Sequence, residues 1–419
     1  MTIPLSRRSS ASRALAFVSA IVCAVLVCPA AASAQRVWSP DAAADFAARR
    51  SPDVVGAQVA IAAAEANRAF ATVPRIGNPV LGLRLMVGLP DVPAATIGVL
   101  AGVPIDISDR PGAVHRETRW AIREAQHGLD VAVLEARYRA IDAWAQLSLA
   151  QERVVVAEEL FNNARVFRDR VAARLREQAS TALDVALAER DLAESEADLS
   201  DARRQRAEAE ARFRLALGLR PTEAVRASPA ASPLLPALDR EQLAQRAMER
   251  RAEPRQLEAA SRRARAVGER AAAQAVDPIF VAGEFEVQGY AQSSFGVSIN
   301  TSLPLVRRAQ GERAVAAAES AAYATRSSVA RSVVAREAVG AYDVLRERLA
   351  TLTALSERAI PSAQRVLVAT ETLFESGAAD TFRVLTARRE LAALRLRWVE
   401  ARLEAWRAQI ALERALGGP

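Results

Sequence analysis

The sequence predicts a mainly α-helical protein with a small β part, arranged as two tandem repeats. Three observations lead to this prediction. Related stretches recur at a spacing of 199 residues in a chain of 419 residues. Each repeat contains a segment of about 65 residues that is almost free of helix breakers, which favours a long helix. Each repeat also contains two short runs in which apolar and polar residues alternate, the period of a half-buried β-strand.

The N-terminus has the features of an export signal. Arg7, Arg8 and Arg13 form a basic region, and the apolar stretch 14–27 follows it. That stretch has the length of a signal peptide and is short for a membrane-spanning helix. Small residues precede Gln35 and offer a cleavage site. We therefore predict a signal peptide over residues 1–34, with the general export route favoured over the twin-arginine route.

Both cysteines of the chain, Cys23 and Cys28, lie inside this segment. Each follows a valine, where a lipoprotein signal needs a small residue, so lipidation is not expected. The mature chain then has no disulfide, thiolate metal site or cysteine nucleophile. Removing the segment lowers the net charge from +7 to +4. This small charge is spread over a mixed surface, so a nucleic-acid partner is not expected.

The internal repeat is clearest near two helical turns. Aligning Leu175 with Phe374 also aligns Gln178 with Gly377 and Thr181 with Asp380. The same spacing aligns the segments 78–85 and 277–285, which begin with Asn-Pro and Asp-Pro, and the two Ala-Leu-Gly segments at 216–218 and 415–417. We expect repeat 1 over residues 35–219, a proline-containing linker over 220–238 and repeat 2 over 239–419.

The predicted strands have about ten residues each, which is the length of a membrane-spanning β-strand. In the clearest run, apolar Phe295, Val297 and Ile299 alternate with polar residues. The residues expected on the polar faces of the strands are Arg84, Glu284, Glu286, Gln288, Ser298 and Asn300. An apolar face beside a polar face fits either a strand pair in a membrane or the hairpin of a soluble domain.

The long helical segments run from about Gly112 to Gln178 and from about Gln310 to Ser376. Each would reach about 100 Å, far more than a compact globule uses. Pro361 interrupts the second segment and is expected to kink it. The return helices carry a seven-residue apolar repeat, which predicts left-handed coiled-coil packing in helical hairpins. In the second copy this repeat consists of Val384, Leu391, Trp398, Ala405 and Leu412.

With its export signal, tandem copies, strand pairs and very long helices, the chain resembles the TolC-like outer-membrane factors of tripartite efflux and type I secretion systems. The resemblance covers about residues 40–418. It implies a homotrimer with a 12-stranded β-barrel in the Gram-negative outer membrane and an α-helical tunnel in the periplasm. It also implies a periplasmic adaptor protein and an inner-membrane pump as partners, and a passive channel without cofactors.

The resemblance assigns roles to particular residues. The polar strand faces would line the barrel lumen, and the hairpin tips would dock the adaptor. The docking residues would be Gln178, Ala179, Ser180 and Thr181 in the first copy and Gly377, Ala378, Ala379 and Asp380 in the second. An entrance constriction would involve Asp184, Arg383 and Thr386, although some family members carry acidic residues where this chain has the last two.

Local chemistry at the tips adds further expectations. Thr181 and Asp184 have the spacing of a capping box, and Asp380 suits an N-cap. Gln178 stands where the tip turn commonly has glycine, so the first turn is expected to be stiffer or differently shaped. We hypothesise that Arg383 pairs with Asp380 or with Asp184 of an adjacent hairpin and holds the entrance closed. The alternative is an ordinary surface arginine.

Two other classes of function compete with a channel. A soluble periplasmic coiled-coil adaptor also carries helical hairpins, but usually one per chain, flanked by a β-rich domain. The sequence does not support an enzymatic function, since it contains no nucleophile motif, phosphate-binding loop or cluster of metal ligands. The only histidines, His115 and His127, lie in charged helical stretches that are typical of surface positions.

Overall fold

The computed structural model describes residues 36–72, 75–87, 96–288, 292–302 and 308–418. The predicted signal peptide lies outside the described residues. Within them, the chain repeats one order of elements twice: two short helices, two strands and a long helical hairpin. The predicted mainly α-helical fold with two strands per repeat is therefore confirmed.

The first repeat opens with a short strand and two helices. Its elements are β1 (Arg36–Trp38), α1 (Pro40–Arg50), α2 (Pro52–Ala66), a 3-10 helix (Asn67–Thr72), β2 (Val80–Met86), β3 (Thr96–Ile105), α3 (Arg110–Arg176) and α4 (Ala182–Leu217). The α3 helix has 67 residues, which corresponds to about 100 Å. It contacts α4 along the hairpin and also packs against α1 and α2.

The second repeat follows the same plan. Its elements are α5 (Arg240–Arg250), α6 (Glu253–Gln274), β5 (Ile279–Gln288), β6 (Gln292–Asn300), α7 (Gln310–Ala354), a π-helical turn (Leu355–Ala359), α8 (Ile360–Glu375) and α9 (Thr381–Ala415). The two repeats pack on one another, since α3 contacts both α6 and α9. Ion pairs such as Arg395–Glu159 at 2.7 Å cross this interface.

The four long strands form one antiparallel sheet in the order β2-β3-β5-β6. The central pairing joins the repeats, with Thr96 opposite Gln288 and Ile105 opposite Ile279. Because β3 and β5 pair over their whole length, both helical hairpins connect to the same end of the sheet. The sheet and the hairpins therefore form one continuous unit.

A second, smaller sheet lies where the predicted linker docks onto the helices. Strand β4 (Val225–Ala227) pairs in parallel with β1. Both strands have only three residues, and sequence periodicity missed them. The carbonyl of Trp38 in β1 accepts a hydrogen bond from the buried Trp144 indole at 2.9 Å. The hydroxyl of Ser148 donates to the carbonyl of Ser228 at 2.8 Å, so the segment 220–238 is fixed to α3 by its backbone.

The recurring Ala-Leu-Gly segments are helix ends. Gly218 and Gly417 follow α4 and α9 with φ angles of 63° and 82°, in the left-handed region. Glycine adopts this conformation without the steric cost that a side chain adds. A Cβ at Gly417 would also lie 2.8 Å from the Cβ of Arg250. The motif recurs because both hairpins end in the same backbone turn.

The interruption predicted at Pro361 is a single π-helical turn over Leu355–Ala359. Proline has no N–H to donate, and its ring crowds the carbonyl four residues earlier, here that of Glu357. Widening the preceding turn relieves this conflict while α7 and α8 remain continuous. Single π turns inside long helices are frequent at functional sites.

The seven-residue repeats mark the buried seams. In α9, Val384, Leu391, Ala405 and Leu412 are buried, whereas Trp398 is half-buried. In α4, Leu199 and Phe213 are buried, whereas Arg206 at the same repeat position is exposed. None of the described helices has an apolar stretch of the length needed to cross a membrane.

Replacing Phe213 with alanine tests the core at the small sheet. Phe213 is fully buried and meets Trp38 edge-on, with ring centroids 5.8 Å apart. Phe213→Ala should lower the free energy of unfolding by about 3–5 kcal/mol, since it opens a cavity among packed helices. Urea unfolding followed by helical circular dichroism in detergent measures this. Phe382, which is 62% exposed, supplies the matched control, and Phe382→Ala should cost less than about 1 kcal/mol.

Candidate functional site

The four-stranded sheet has one polar face. Residues directly opposite in antiparallel strands share a face, so the register places Arg84, Gly98 and Glu286 in one row. Glu284 lies opposite Leu100 and Gly296, in the next row along the sheet. All six residues predicted for this face lie on it: Arg84, Glu284, Glu286, Gln288, Ser298 and Asn300.

Hydrogen bonds connect these polar side chains across the strands. Arg84 Nη1 lies 3.3 Å from Glu286 Oε1, an ion pair that joins the two repeats across β3. Gly98 lies between them, and a Cβ there would crowd this ion pair, since it would lie 3.1 Å from Glu286 Cγ. Ser298 Oγ donates to Glu284 Oε1 at 2.9 Å, and Asn300 Nδ2 donates to Ser298 Oγ at 3.4 Å.

The opposite face of the sheet is apolar and uncovered. Leu83 is 78% exposed and Phe295 76% exposed. Other exposed members of this face are Leu81, Leu85, Ile97, Val99, Phe285, Val287, Val297 and Ile299. A continuous apolar surface of this kind marks a site of contact with lipid or with another protein.

The two hairpin tips have the same backbone course. Gln178 and Gly377 both adopt left-handed conformations, with φ angles of 57° and 79°. In each tip the residue that follows donates its amide to the carbonyl five residues earlier, Ala179 to Arg174 and Ala378 to Leu373, both at 2.8 Å. The expectation of a differently shaped first turn is therefore wrong, since glutamine adopts the glycine conformation.

The return helices begin with the predicted caps. The amide of Asp184 donates to Thr181 Oγ1 at 3.2 Å, and the amide of Thr181 donates to Asp184 Oδ2 at 2.9 Å, which completes a capping box. In the second tip the amide of Arg383 donates to Asp380 Oδ1 at 2.9 Å. These bonds satisfy amides that have no partner within the helix.

Asp184 also connects the two hairpins. Burial raises the pKa of its carboxyl, but hydrogen bonds from Thr181, Thr381 and Ser180 outweigh burial and hold the pKa below its ordinary value. Thr381, the first residue of α9, is buried. Sequence reasoning identified Asp184 but not Thr381 as its partner in the other repeat.

The other predicted constriction residues face outward in one chain. Arg383 is exposed, and its side chain forms no ion pair with any described residue. Thr386 is exposed and donates its hydroxyl to the carbonyl of Phe382 at 2.9 Å. The pairing of Arg383 with a carboxylate of an adjacent chain stays a prediction.

Above the tips, a second contact between the hairpins was missed from the sequence. Arg389 Nε lies 3.2 Å from Asp191 Oδ1, and Arg389 Nη2 lies 3.0 Å from Glu194 Oε2. Arg388 stacks 4.6 Å from the ring centroid of Phe167, and burial lowers the pKa of its guanidinium. The acidic residues at helical spacing on α4 and the arginines on α9 were the sequence signal that could have predicted this contact.

Comparison with known proteins agrees with this geometry. Residues 44–219 match the family model for outer membrane efflux proteins. A comparison with curated proteins finds no match in sequence. The predicted resemblance to the outer-membrane factors is thus confirmed.

Several solved structures share the fold over most of the chain. The structure of CusC is 18% identical with a TM-score of 0.73, covering 91% of this chain and 92% of that one. OprN, described as an outer-membrane channel, is 20% identical with a TM-score of 0.73, covering 91% and 90%. VceC from Vibrio cholerae is 16% identical with a TM-score of 0.71, covering 90% and 96%. The likeness in fold spans both repeats.

The left-handed Gln178 gives a pair of opposite predictions. A side chain in the left-handed conformation costs about 1–2 kcal/mol through steric strain. Glycine avoids this strain but loses more backbone entropy on folding, so only part of the cost is regained. Gln178→Gly should therefore raise the free energy of unfolding by about 0.5–1 kcal/mol. The mirror change Gly377→Gln should lower it by a similar amount. Thermal unfolding of both variants tests this, and shifts of the same sign would contradict it.

Proposed function

We propose that this protein is the outer-membrane exit duct of a tripartite efflux or type I secretion system. In this proposal it is a passive conduit that a periplasmic adaptor and an inner-membrane pump open. The observation that carries the proposal is the four-stranded sheet, with its exposed apolar face on one side and its hydrogen-bonded polar face on the other, continuous with helices of about 100 Å.

The open edges of the sheet support assembly into a homotrimer. Strands β2 and β6 each pair on one side only within the described chain. In lipid, unpaired backbone groups cost several kcal/mol each, so a membrane sheet must close on itself. Three copies of this sheet would supply twelve strands, an even number within the usual range of membrane barrels. The polar face would then line the lumen, and the apolar face would contact lipid.

The helices would continue the barrel as a tunnel in the periplasm. Export by the N-terminal signal would deliver the chain there, and outer-membrane lipid would surround the barrel. The exposed apolar sheet face argues against the alternative of a soluble periplasmic adaptor, which would have to leave that surface in water.

At the far end of the tunnel, three chains would place six hairpin tips around one entrance. The adaptor would dock on the two exposed tip segments, residues 178–181 and 377–380. The hydrogen bond between Asp184 and Thr381 would hold the two hairpins of a chain together in the closed state. Arg383 and Thr386, which face away from the chain, would lie near the neighbouring chain at the constriction.

Membrane insertion can be tested with neighbouring substitutions on opposite faces. An arginine on the lipid face near the middle of a membrane strand costs about 2–4 kcal/mol, whereas the lumen face is wet. Phe295→Arg should therefore reduce the amount of protein recovered in the outer-membrane fraction, and Ser294→Arg should leave it nearly unchanged. Fractionation with detergent extraction measures both. Release of the wild-type chain without detergent, or equal loss in both variants, would contradict the proposal.

The closed entrance can be tested by removing one hydroxyl. Thr381→Val removes the bond to Asp184 and keeps the side-chain shape, so the resting single-channel conductance in planar bilayers should rise. Thr351→Val is the matched control, because that hydroxyl lies away from the tips and donates to the carbonyl of Glu347 in its own helix at 3.0 Å. An unchanged conductance in Thr381→Val would show that this bond does not keep the entrance closed.

A further inference from the structure

A basic groove lies on the first repeat, near the end of the sheet from which the helices leave. Its volume is about 480 Å³, and it runs along the first turns of α3 beside the 3-10 helix. Its basic lining residues are Arg68, His115, Arg119 and Arg123, and the described lining contains no carboxylate. Thr118 and Ile122, each 5% exposed, separate these groups on the helix.

The charges in this groove are not neutralised by the described chain. Arg68, Arg119 and Arg123 form no ion pair with any described residue, whereas the neighbouring Arg116 pairs with Glu269 at 2.7 Å and Asp109 at 2.9 Å. Arg119 and Arg123 are four residues apart on one helix, a spacing at which like charges destabilise the helix. The groove therefore holds a local excess of positive charge that an anion would relieve.

The second repeat shows that helix packing does not require these charges. At the repeat spacing of 199 residues, His115, Arg119 and Arg123 correspond to Ala314, Ala318 and Ala322. The position of Arg68 corresponds to a valine. The same helix is thus built with alanine in one copy and with a basic row in the other.

The groove lies close to the apolar band of the sheet. Ile76 and Ile107 flank β2 and β3 in sequence and are 60% and 55% exposed, and Phe70 on the 3-10 helix is 68% exposed. Helix α3 begins only a few residues after β3, and Arg119 is about 14 Å along it. Helical side chains tilt toward the N-terminus, which here directs Arg119 toward the sheet. Arg68 stands two residues before the exposed Phe70.

We propose that this groove binds the headgroup phosphate of an anionic phospholipid in the leaflet on the helical side of the membrane. Arg68 and Arg119, contributed by two separate elements, offer paired N–H donors in the geometry that matches phosphate oxygens. Phe70 and Ile107 would lie against the upper part of the acyl chains. This inference rests on the proposed insertion of the sheet into the membrane.

Native mass spectrometry of the detergent-solubilised full-length protein tests the proposal. The probes are phosphatidylglycerol, phosphatidylcholine and inorganic phosphate, each added alone. The wild-type protein should retain phosphatidylglycerol in preference to phosphatidylcholine. Arg68→Gln/Arg119→Gln should weaken retention of phosphatidylglycerol by about thirtyfold, since each arginine beside an anionic headgroup contributes about a fivefold factor. The control Arg313→Gln/Arg326→Gln removes the same charge from α7 and should retain the lipid like the wild type.

Three outcomes would overturn the proposal: equal retention in the groove variant and the wild type, equal loss in the control variant, or retention of inorganic phosphate but not of phosphatidylglycerol by the wild type. The last would make the groove a site for free phosphate. Detergent extraction and planar-bilayer conductance of the same samples separate this inference from the proposed function. If the groove variant inserts, conducts and still retains the lipid like the wild type, only the lipid site is refuted. If the wild-type protein itself is extracted without detergent, the channel proposal is refuted.

Discussion

The antiparallel pairing of Thr96–Ile105 with Ile279–Gln288 is the constraint on which the rest of the structure depends. It joins strands from two repeats into one sheet, and it fixes both helical hairpins to the same end of that sheet. It also aligns the faces, so that Arg84 of the first repeat reaches Glu286 of the second. A shift by one residue would turn every side chain of one repeat to the wrong face.

The two repeats are also held together at two places in the helical part. Near the sheet of β1 and β4, the predicted linker is held against α3 and α9; Trp406, for example, donates its indole N–H to the carbonyl of Ala231 at 2.8 Å. Near the tips, Asp184 meets Thr381 and Arg389 meets Asp191. The two hairpins of a chain therefore act as one unit between the middle and the tip. A change of the entrance that moves one hairpin alone must break the contacts near the tips.

The sequence was sufficient for features that depend on local pattern. Alternation placed all six polar sheet residues on one face, and the Thr181–Asp184 spacing identified a true capping box. Features that depend on the register between distant segments were not predictable. Asp191 and Arg389 are 198 residues apart, and only the packing of α4 against α9 brings them together. The strands Arg36–Trp38 and Val225–Ala227 are too short to show an alternating pattern. At Gln178 the surrounding structure holds a glutamine in the left-handed conformation that glycine usually adopts.

The central claim is that the free edges of β2 and β6 meet between chains and close a ring of three. The only cysteines of the sequence lie at positions 23 and 28, in the predicted signal peptide. Any cross-link in the mature protein would therefore join introduced cysteines. The most direct measurement combines Leu83→Cys in β2 with a cysteine at Phe295, Val297 or Ile299 in β6, followed by oxidation in the membrane. The account predicts that at least one pairing gives covalent dimers and trimers and nothing larger. Ladders beyond the trimer, or no cross-link at any of the three positions, would contradict it.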